Sequence, residues 1–237
     1  MYDGTIMLKR VIAVIPARID STRFPSKMLA QETGKPLIQY AWEVANAAKS
    51  VDEVLIATDS IEIANQVEGF GGICVMTGEH SNGTSRIAEA VAGIPCDLVV
   101  NVQGDEPELD PKVIDAAVAE IGEFSISTAC CELLPEESHN ENVVKVIVDN
   151  GTAVDFVRVM PELKAFRHLG LYVYKPEFLQ QFIAMSATEN EVSRRLEQMR
   201  AIDNGYTIAI AIVDQQPSGI DTPQQYTEFV NRINRVL

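Results

Sequence analysis

The sequence has few of the residues that build metal centres and disulfide frameworks. Its 237 residues include four cysteines and three histidines. No two cysteines have Cys-x-x-Cys spacing, Cys130 and Cys131 are adjacent in an apolar run, and the histidines lie far apart. These patterns argue against a zinc site and favour buried thiols in a reducing compartment.

Long apolar runs and net positive charge are also missing. No stretch approaches the ~20 apolar residues that cross a membrane as a helix. Lys9 and Arg10 precede an apolar run, but this run is too short for a signal peptide, meets Pro16 and Arg18, and lacks a small-residue cleavage site. The formal charge of -15 argues against binding to nucleic acid. We therefore expect a cytoplasmic protein without membrane insertion.

Glycine is absent between Val11 and Gln31, where two large classes of nucleotide-binding protein need it. A dehydrogenase would carry G-x-G-x-x-G after its first strand. A P-loop NTPase would carry G-x-x-x-x-G-K-[ST], but Gly34-Lys35 is followed by Pro36 and lacks the first glycine. Both classes are disfavoured.

The same region instead contains a basic loop directly after an apolar run. The β-branched run 11–15 predicts a buried strand, and Pro16 ends it. From Lys9 to Lys35 there are six basic residues and two acidic ones, although the whole chain is acidic. The cations and hydroxyls of the loop are Arg18, Ser21, Thr22, Arg23 and Lys27. They indicate a site for a small phosphate-bearing ligand, with a solvated basic loop as the alternative.

The pattern of apolar residues predicts an α/β fold. Strands and helices alternate up to residue 121, with strands at 11–15, 54–57, 73–76 and 98–102 and helices at 37–49, 61–67, 85–91 and 111–121. Later strands are expected at 125–133, 143–148, 153–159, 168–174 and 206–213, and helices at 178–185, 191–202 and 223–236. Asp149-Asn150-Gly151 predicts a hairpin turn. We expect one domain over 1–237, with a mainly parallel sheet flanked by helices, a hairpin-containing insertion at 125–174 and a flexible N-terminus at 1–9.

Carboxylates follow the predicted strands. Asp105 lies in a Gly-Asp-Glu-Pro turn directly after a buried strand, where it would hold Mg²⁺ on nucleotide phosphates or only form an Asx turn. Asp221 begins the last helix, either as a second metal ligand or as a favourable N-terminal charge. Asp59 is better explained as a helix cap. The polar loop 80–86 is either a capped turn or a binding site for a base or ribose.

Taken together, these blocks resemble the CMP-KDO synthetases, the 3-deoxy-manno-octulosonate cytidylyltransferases. The blocks are VIPAR…STRFPSK, ATDS, MTGEHSNGTSR, VNVQGDEP, NVVKV, HLGLYVY, LEQMR and GIDTP, in family order from Val11 to about Val230. The resemblance implies a nucleotide-diphospho-sugar transferase-like, Rossmann-like fold and a cytoplasmic, typically dimeric enzyme of lipopolysaccharide biosynthesis. Such an enzyme transfers CMP from CTP to the sugar acid KDO and releases pyrophosphate.

The resemblance also implies a site. Arg18, Lys27 and Asp105 would be catalytic, and Asp105 and Asp221 would bind Mg²⁺. CTP would contact Arg18, Ser21, Arg23, Lys27, Thr77, Ser81, Gly83 and Thr84. The sugar acid would contact Gln103, Arg158, His168, Tyr172, Glu197 and Gln198.

The chain departs from the family pattern in three places. Asn82 and Ser85 replace a serine and a carboxylate, Arg194 replaces a carboxylate, and the 158–168 segment is short. These departures leave the phosphate and metal residues intact and concern nucleotide-side detail, the sugar pocket or the dimer surface. The alternatives are therefore a cytidylyltransferase for 8-amino-KDO or sialate, or a non-catalytic sugar-nucleotide binding protein.

Overall fold

Nine strands form one sheet with helices packed on its faces. The computed structural model describes residues 9–19, 23–215 and 219–236. The strands are β1 (Val11–Ala17), β2 (Glu53–Thr58), β3 (Ile73–Met76), β4 (Leu98–Asn101), β5 (Ile126–Cys131), β6 (Lys145–Asp149), β7 (Thr152–Val157), β8 (Phe166–Tyr174) and β9 (Ile208–Val213). The helices are α1 (Leu37–Ala47), α2 (Ile61–Gly69), α3 (Gly83–Ala90), α4 (Pro111–Glu120), α5 (Pro176–Ala184), α6 (Glu189–Arg194), α7 (Met199–Asp203) and α8 (Pro223–Val236), and short 3₁₀ turns lie at Lys27–Leu29 and Pro135–Glu137. The predicted α/β fold is confirmed.

The sheet has the order β3-β2-β1-β4-β8-β5-β9-β7-β6, and its first four strands are parallel. The central strand β1 is apolar and almost wholly buried, as its β-branched run predicts. Strands β2 and β4 lie on opposite sides of β1. The connection after β1 therefore runs toward β2, whereas the connection after β4 runs toward the other end of the sheet. Such a switch point opens a crevice at the carboxyl ends of the strands.

The second half of the sheet is mixed. Strand β8 lies antiparallel between β4 and β5, whereas β5 and β9 are parallel. Strands β6 and β7 form the predicted hairpin, which turns at Asn150 and Gly151 with φ angles of 48° and 77°. Positive φ at both positions is what a two-residue type I′ turn requires. Further pairings of β6 with β8 and of β7 with β9 fold the hairpin over this end of the sheet.

Apolar side chains fill both faces of the sheet. On one face α1 and α4 supply buried residues such as Ile38 and Val113. On the other face α3 and α5 supply Ile87 and Phe178. A smaller cluster of Leu37, Ile220, Tyr226 and Phe229 anchors α8 against α1. This anchor brings the residues that precede α8 to the crevice.

Several predicted boundaries were wrong. Strand β1 does not end at Pro16, because it continues to pair with β2 through Ala17. Two helices differ from their predicted bounds because of specific side-chain contacts. The expected helix 191–202 is interrupted at Arg195, which has the left-handed φ of 55°. No glycine or proline marks this break; instead the Arg158 guanidinium binds the carbonyl oxygens of Arg194 and Arg195. Helix α3 begins at Gly83 rather than at residue 85, because the Asn82 carboxamide accepts a hydrogen bond from the Ser85 N–H at 2.8 Å.

Candidate active site

A cleft of about 430 Å³ opens at the switch point between β1 and β4. Its walls come from the loop after β1, the turn after β4, the start of α3 and the segment before α8. The polar side chains on these walls are Arg18, Arg23, Lys27, His80, Ser81, Asn82, Arg86, Gln103, Asp105 and Asp221. The fold therefore brings the predicted basic loop and both predicted carboxylates into one cleft. Ser21 lies outside the described residues.

Lys27 occupies the centre of the charge arrangement. It is buried, and its Nζ donates to Asp105 Oδ2 at 2.6 Å and to the Ile220 carbonyl oxygen at 2.7 Å. Asp221 Oδ1 lies 3.8 Å from the same nitrogen and accepts from Arg23 Nη2 at 2.8 Å. One ammonium group thus holds the turn after β4 next to the segment before α8. The two carboxylates are brought together although 116 residues separate them.

The donor set at this point fits a hard divalent cation. Asp105 and Asp221 each place a carboxylate oxygen close to the Lys27 Nζ atom, at 2.6 and 3.8 Å. Because both oxygens approach the same atom, both can also approach one cation. Among the described residues no group of three or more Asp, Glu, His or Cys side chains is arranged to hold a metal. A cation here would therefore take its other ligands from phosphate oxygens or water, which is the usual arrangement for Mg²⁺.

Glu106 adds a third carboxyl group beside this pair. Its Oε2 is buried and has no hydrogen-bond partner among the described residues. Burial, together with the negative charges of Asp105 and Asp221, raises the pKa of Glu106 to about 7, and Arg167 opposes this shift. The charged form of Glu106 is therefore disfavoured beside the two aspartates.

The opposite wall is held by a buried arginine that the sequence did not single out. Arg86, in α3, donates to Thr77 Oγ1 at 2.6 Å and to Asp59 Oδ2 at 2.7 Å. The expected capping role of Asp59 was wrong, since Ser60 caps α2. Arg86 thereby fixes the ends of β2 and β3 beside the cleft.

The polar loop at 77–82 is tied back onto α3. His80 and Gly78 both bind the Glu89 carboxylate, which lowers the pKa of Glu89. Gly83 packs so closely that an added Cβ would lie 3.1 Å from the Pro16 ring. A larger residue at position 83 would therefore force the start of α3 and the Pro16 ring at the end of β1 slightly apart.

A second polar cluster lies on β8 and the turn between α6 and α7. His168 Nε2 is 3.0 Å from Thr128 Oγ1, and its ring contacts those of Phe156 and Tyr172. Burial lowers the pKa of His168 to about 3, so the ring is neutral at pH 7. Burial and the Glu197 charge raise the pKa of Tyr172.

Most of the predicted sugar contacts join this cluster, whereas the Arg158 side chain is bound to the backbone of the turn between α6 and α7. Gln103 donates to the Gly170 carbonyl oxygen of β8 at 3.0 Å and also lines the cleft. Glu197 accepts from Thr84 Oγ1 at 2.6 Å, and the neighbouring Gln198 is buried. The Arg158 guanidinium donates hydrogen bonds to three backbone carbonyl oxygens, those of Glu141, Arg194 and Arg195.

Comparison with known protein families decides the classification of this site. The model of a family described as cytidylyltransferase matches residues 12–210. The chain belongs to the cytidylyltransferase family. Within the family, a relative from Geotalea daltonii named 3-deoxy-manno-octulosonate cytidylyltransferase is 40% identical, over 94% of this chain and 98% of that protein. One of the same name from Syntrophotalea carbinolica is 42% identical, over 90% of this chain and 94% of that protein.

Other similar cytidylyltransferases extend the comparison. A Shewanella pealeana protein named 8-amino-3,8-dideoxy-manno-octulosonate cytidylyltransferase is 39% identical, over 90% of this chain and 94% of that protein. A solved structure of CMP:2-keto-3-deoxy-manno-octonic acid synthetase complexed with CTP superposes with a TM-score of 0.91 at 30% identity, covering 96% of this chain and all of that one. This match agrees with the α/β architecture described above.

Proposed function

We propose that this cytidylyltransferase transfers CMP from CTP to KDO. The observation that carries the proposal is the cleft at the switch point, in which three cations of one loop face a pair of carboxylates. The relatives named for this reaction cover almost the whole chain, which supports the same activity here. The product would enter lipopolysaccharide biosynthesis.

In this reaction the anomeric hydroxyl oxygen of KDO bonds to the α-phosphorus of CTP. The bond from that phosphorus to the oxygen bridging the β-phosphate breaks, pyrophosphate leaves and the hydroxyl proton is released. Such a transfer needs charge neutralisation and in-line positioning more than a covalent protein intermediate. Arg18, Arg23 and Lys27 are suited to neutralise the triphosphate, and Ser81 and Gly83 line the cleft where the nucleoside would lie. The Thr77 hydroxyl accepts a hydrogen bond from Arg86, so it would support this wall through that arginine.

Asp105 and Asp221 would hold Mg²⁺ in this scheme. Bound Mg²⁺ supplies Lewis-acid polarisation of the phosphates and neutralises the charge of the leaving pyrophosphate. Lys27 keeps the two carboxylates together, and Arg23 orients Asp221. These contacts would preorganise both ligands before substrate binds.

The acceptor sugar would occupy the polar cluster beside the cleft. A polyhydroxylated acid needs buried acceptors and donors, which Gln103, His168, Tyr172, Glu197 and Gln198 provide. KDO is the first assignment because most of the similar relatives named here carry that name. The Shewanella relative makes 8-amino-KDO the second candidate.

We further propose a homodimer that works in the cytoplasm. Among the described residues, large apolar side chains are exposed in the half of the sheet that carries the hairpin, including Val154, Val159, Met160, Leu163, Val192 and Ile212. Exposed apolar side chains mark a protein interface where they form one contiguous patch, which is what the proposal assigns to these residues. All four cysteines are free, which suits a reducing compartment. Among the described residues no helix is long and apolar enough to span a membrane.

A pyrophosphate-release assay tests the proposed reaction. The enzyme is incubated with Mg²⁺, each of CTP, UTP, ATP and GTP, and each of KDO, 8-amino-KDO and sialate. We expect release with CTP and KDO, and none when Mg²⁺ is removed by a chelator. Release only with another sugar acid would replace the KDO assignment, and no release with any sugar acid would reject the enzymatic function.

Asp105→Asn tests the metal role within the same assay. It removes one negative charge from the cation site, so turnover is expected to fall by about 100-fold or more, a loss typical of removing a key electrostatic contact. Asp110→Asn is the matched control, because Asp110 only caps α4 and asparagine caps equally well. Full activity of Asp105→Asn with unchanged Mg²⁺ dependence would refute the role.

A further inference from the structure

Thr84 joins the nucleotide side of the cleft to the polar cluster beyond it. It lies in the first turn of α3, directly after the cleft residue Gly83, and is 3% exposed. Its hydroxyl donates to Glu197 Oε2 at 2.6 Å. The resemblance to CMP-KDO synthetases assigned Thr84 to CTP, but this contact is to the turn between α6 and α7.

Glu197 has one satisfied and one unsatisfied oxygen. Oε2 accepts from Thr84, whereas Oε1 is buried and has no hydrogen-bond partner among the described residues. Burial raises the pKa of Glu197, and the contacts with Thr84 and Arg200 lower it. Buried polar atoms are rarely left without a partner, so an unsatisfied carboxylate oxygen calls for an explanation.

Arg200 does not provide the missing hydrogen bond. Its Nη2 lies 3.8 Å from Glu197 Oε1, too far for one. The guanidinium is held elsewhere, because Nε and Nη2 both bind the Glu191 carboxylate and Nη1 binds the Phe182 carbonyl oxygen. Arg200 therefore balances part of the charge of Glu197 and leaves Oε1 available as an acceptor.

We infer that Thr84 is a positioning residue for the acceptor sugar: it fixes the Glu197 carboxylate so that Oε1 accepts a hydrogen bond from a sugar hydroxyl. The inference rests on the proposed function. The inferred role of Thr84 differs from that of its neighbour Gly83, which borders the nucleotide cleft. It also links the two substrate sites through a single hydrogen bond.

Steady-state kinetics of Thr84→Val test this role. Valine keeps the shape of the side chain and removes the hydroxyl, which leaves both oxygens of Glu197 without a hydrogen-bond partner among the described residues and also removes the contact with Tyr174. We expect the KM for the sugar acid to rise by about tenfold or more, as for loss of a hydrogen bond to a charged group, and the KM for CTP to change less than about twofold. Thr84→Ser restores the hydroxyl and should restore the sugar KM.

Two controls separate positioning from a general effect on the fold. Thr227→Val makes the same substitution at an exposed site on α8, where the hydroxyl donates only to the Pro223 carbonyl oxygen among the described residues, and should change neither KM. In a Glu197→Gln background, Thr84→Val should raise the sugar KM much less, because the group through which Thr84 acts is already altered. Thr84→Ala serves the same comparisons if circular dichroism shows that the valine variant is unfolded.

The outcomes distinguish this inference from the proposed function. A rise in the KM for CTP with no rise in the KM for the sugar acid would assign Thr84 to the nucleotide site and overturn the inference. Equal effects with and without the Glu197 substitution would also overturn it. If the unmodified enzyme releases no pyrophosphate with any sugar acid, the proposed function itself has failed, whatever Thr84 does.

Discussion

At the scale of single residues, His168 gives the protein a measurable pH dependence of stability. Burial lowers its pKa to about 3 in the fold, against an ordinary value of 6.5. Between these values the unfolded chain binds one more proton at this ring than the folded chain does. The contribution is fully present above pH 6.5 and is lost as pH falls toward 3, at up to about 1.4 kcal/mol per pH unit.

Urea unfolding between pH 4 and 7.5 measures this contribution. His168→Gln cannot titrate, so its free energy of unfolding should fall less steeply below pH 6.5 than that of the unsubstituted protein. His139→Gln is the control, since His139 is exposed and meets solvent in both states. Parallel stability curves for His168→Gln and the unsubstituted protein would show that the folded His168 accepts a proton as readily as the unfolded one.

The sequence predicted which residues come together in the cleft where one pattern determined their position. Arg18, Lys27 and Asp105 were predicted because each follows an apolar strand, and the ends of parallel strands meet at one edge of the sheet. The sequence did not pair Arg86 with Asp59, because the two residues are 27 positions apart and neither belongs to a local motif that requires the other. Long-range ion pairs of this kind depend on the packing of α3 against β2.

At the scale of elements, Arg158 stabilises the break between α6 and α7. Its three donors bind the carbonyl oxygens of Arg194, Arg195 and Glu141 at 2.9–3.0 Å. Arg158→Met leaves these carbonyls without that partner, at a cost of about 1–3 kcal/mol. For a chain of this size we expect the melting temperature to fall by about 2–4 °C for each kcal/mol.

Calorimetry in the absence of substrates distinguishes this role from the predicted contact with the sugar acid. Arg232→Met removes an arginine that pairs with Glu108 at the surface, where an ion pair contributes about 0–1 kcal/mol, and should change the melting temperature little. If Arg158→Met leaves the melting temperature unchanged and raises only the KM for the sugar acid, Arg158 is a ligand rather than a support of the turn.

The elements show which local signals were sufficient. The Asp149-Asn150-Gly151 turn and the start of the last helix at Pro223 were predicted correctly, because each depends on backbone geometry within a few residues. The break at Arg195 was missed, because residues 191–202 form a continuous helical pattern and only the distant Arg158 interrupts it. Tertiary contacts override helix propensity at such positions.

At the scale of the whole molecule, the apolar pattern predicted that the strands are buried but not how they pair. The parallel order of β1 to β4 follows from alternating strands and helices. A buried strand has the same pattern in either direction, so the antiparallel entry of β8 between β4 and β5 was not visible in the sequence. This entry places His168 and Tyr172 on the strand that borders Gln103 of the cleft.

The proposed dimer is a property of the whole molecule and follows from where its exposed apolar residues lie. Val154 on β7 and Val192 on α6 are 52% and 66% exposed and belong to the half that carries the hairpin. Sedimentation equilibrium should give about twice the chain mass of 26.0 kDa. Val154→Asp combined with Val192→Asp places two charges in the interface and should shift the mass toward that of one chain, because an unpaired charge is costly to bury.

Ile61→Asp provides the matched control at the opposite end of the sheet. Ile61 is 69% exposed at the start of α2, where an aspartate also suits the helix N-terminus, so this variant should remain dimeric. If Ile61→Asp alone dissociates the dimer, the interface lies at the β3 edge of the sheet instead. A single-chain mass for the unsubstituted protein at all concentrations would reject the dimer, and the exposed apolar residues of the hairpin half would then need another partner.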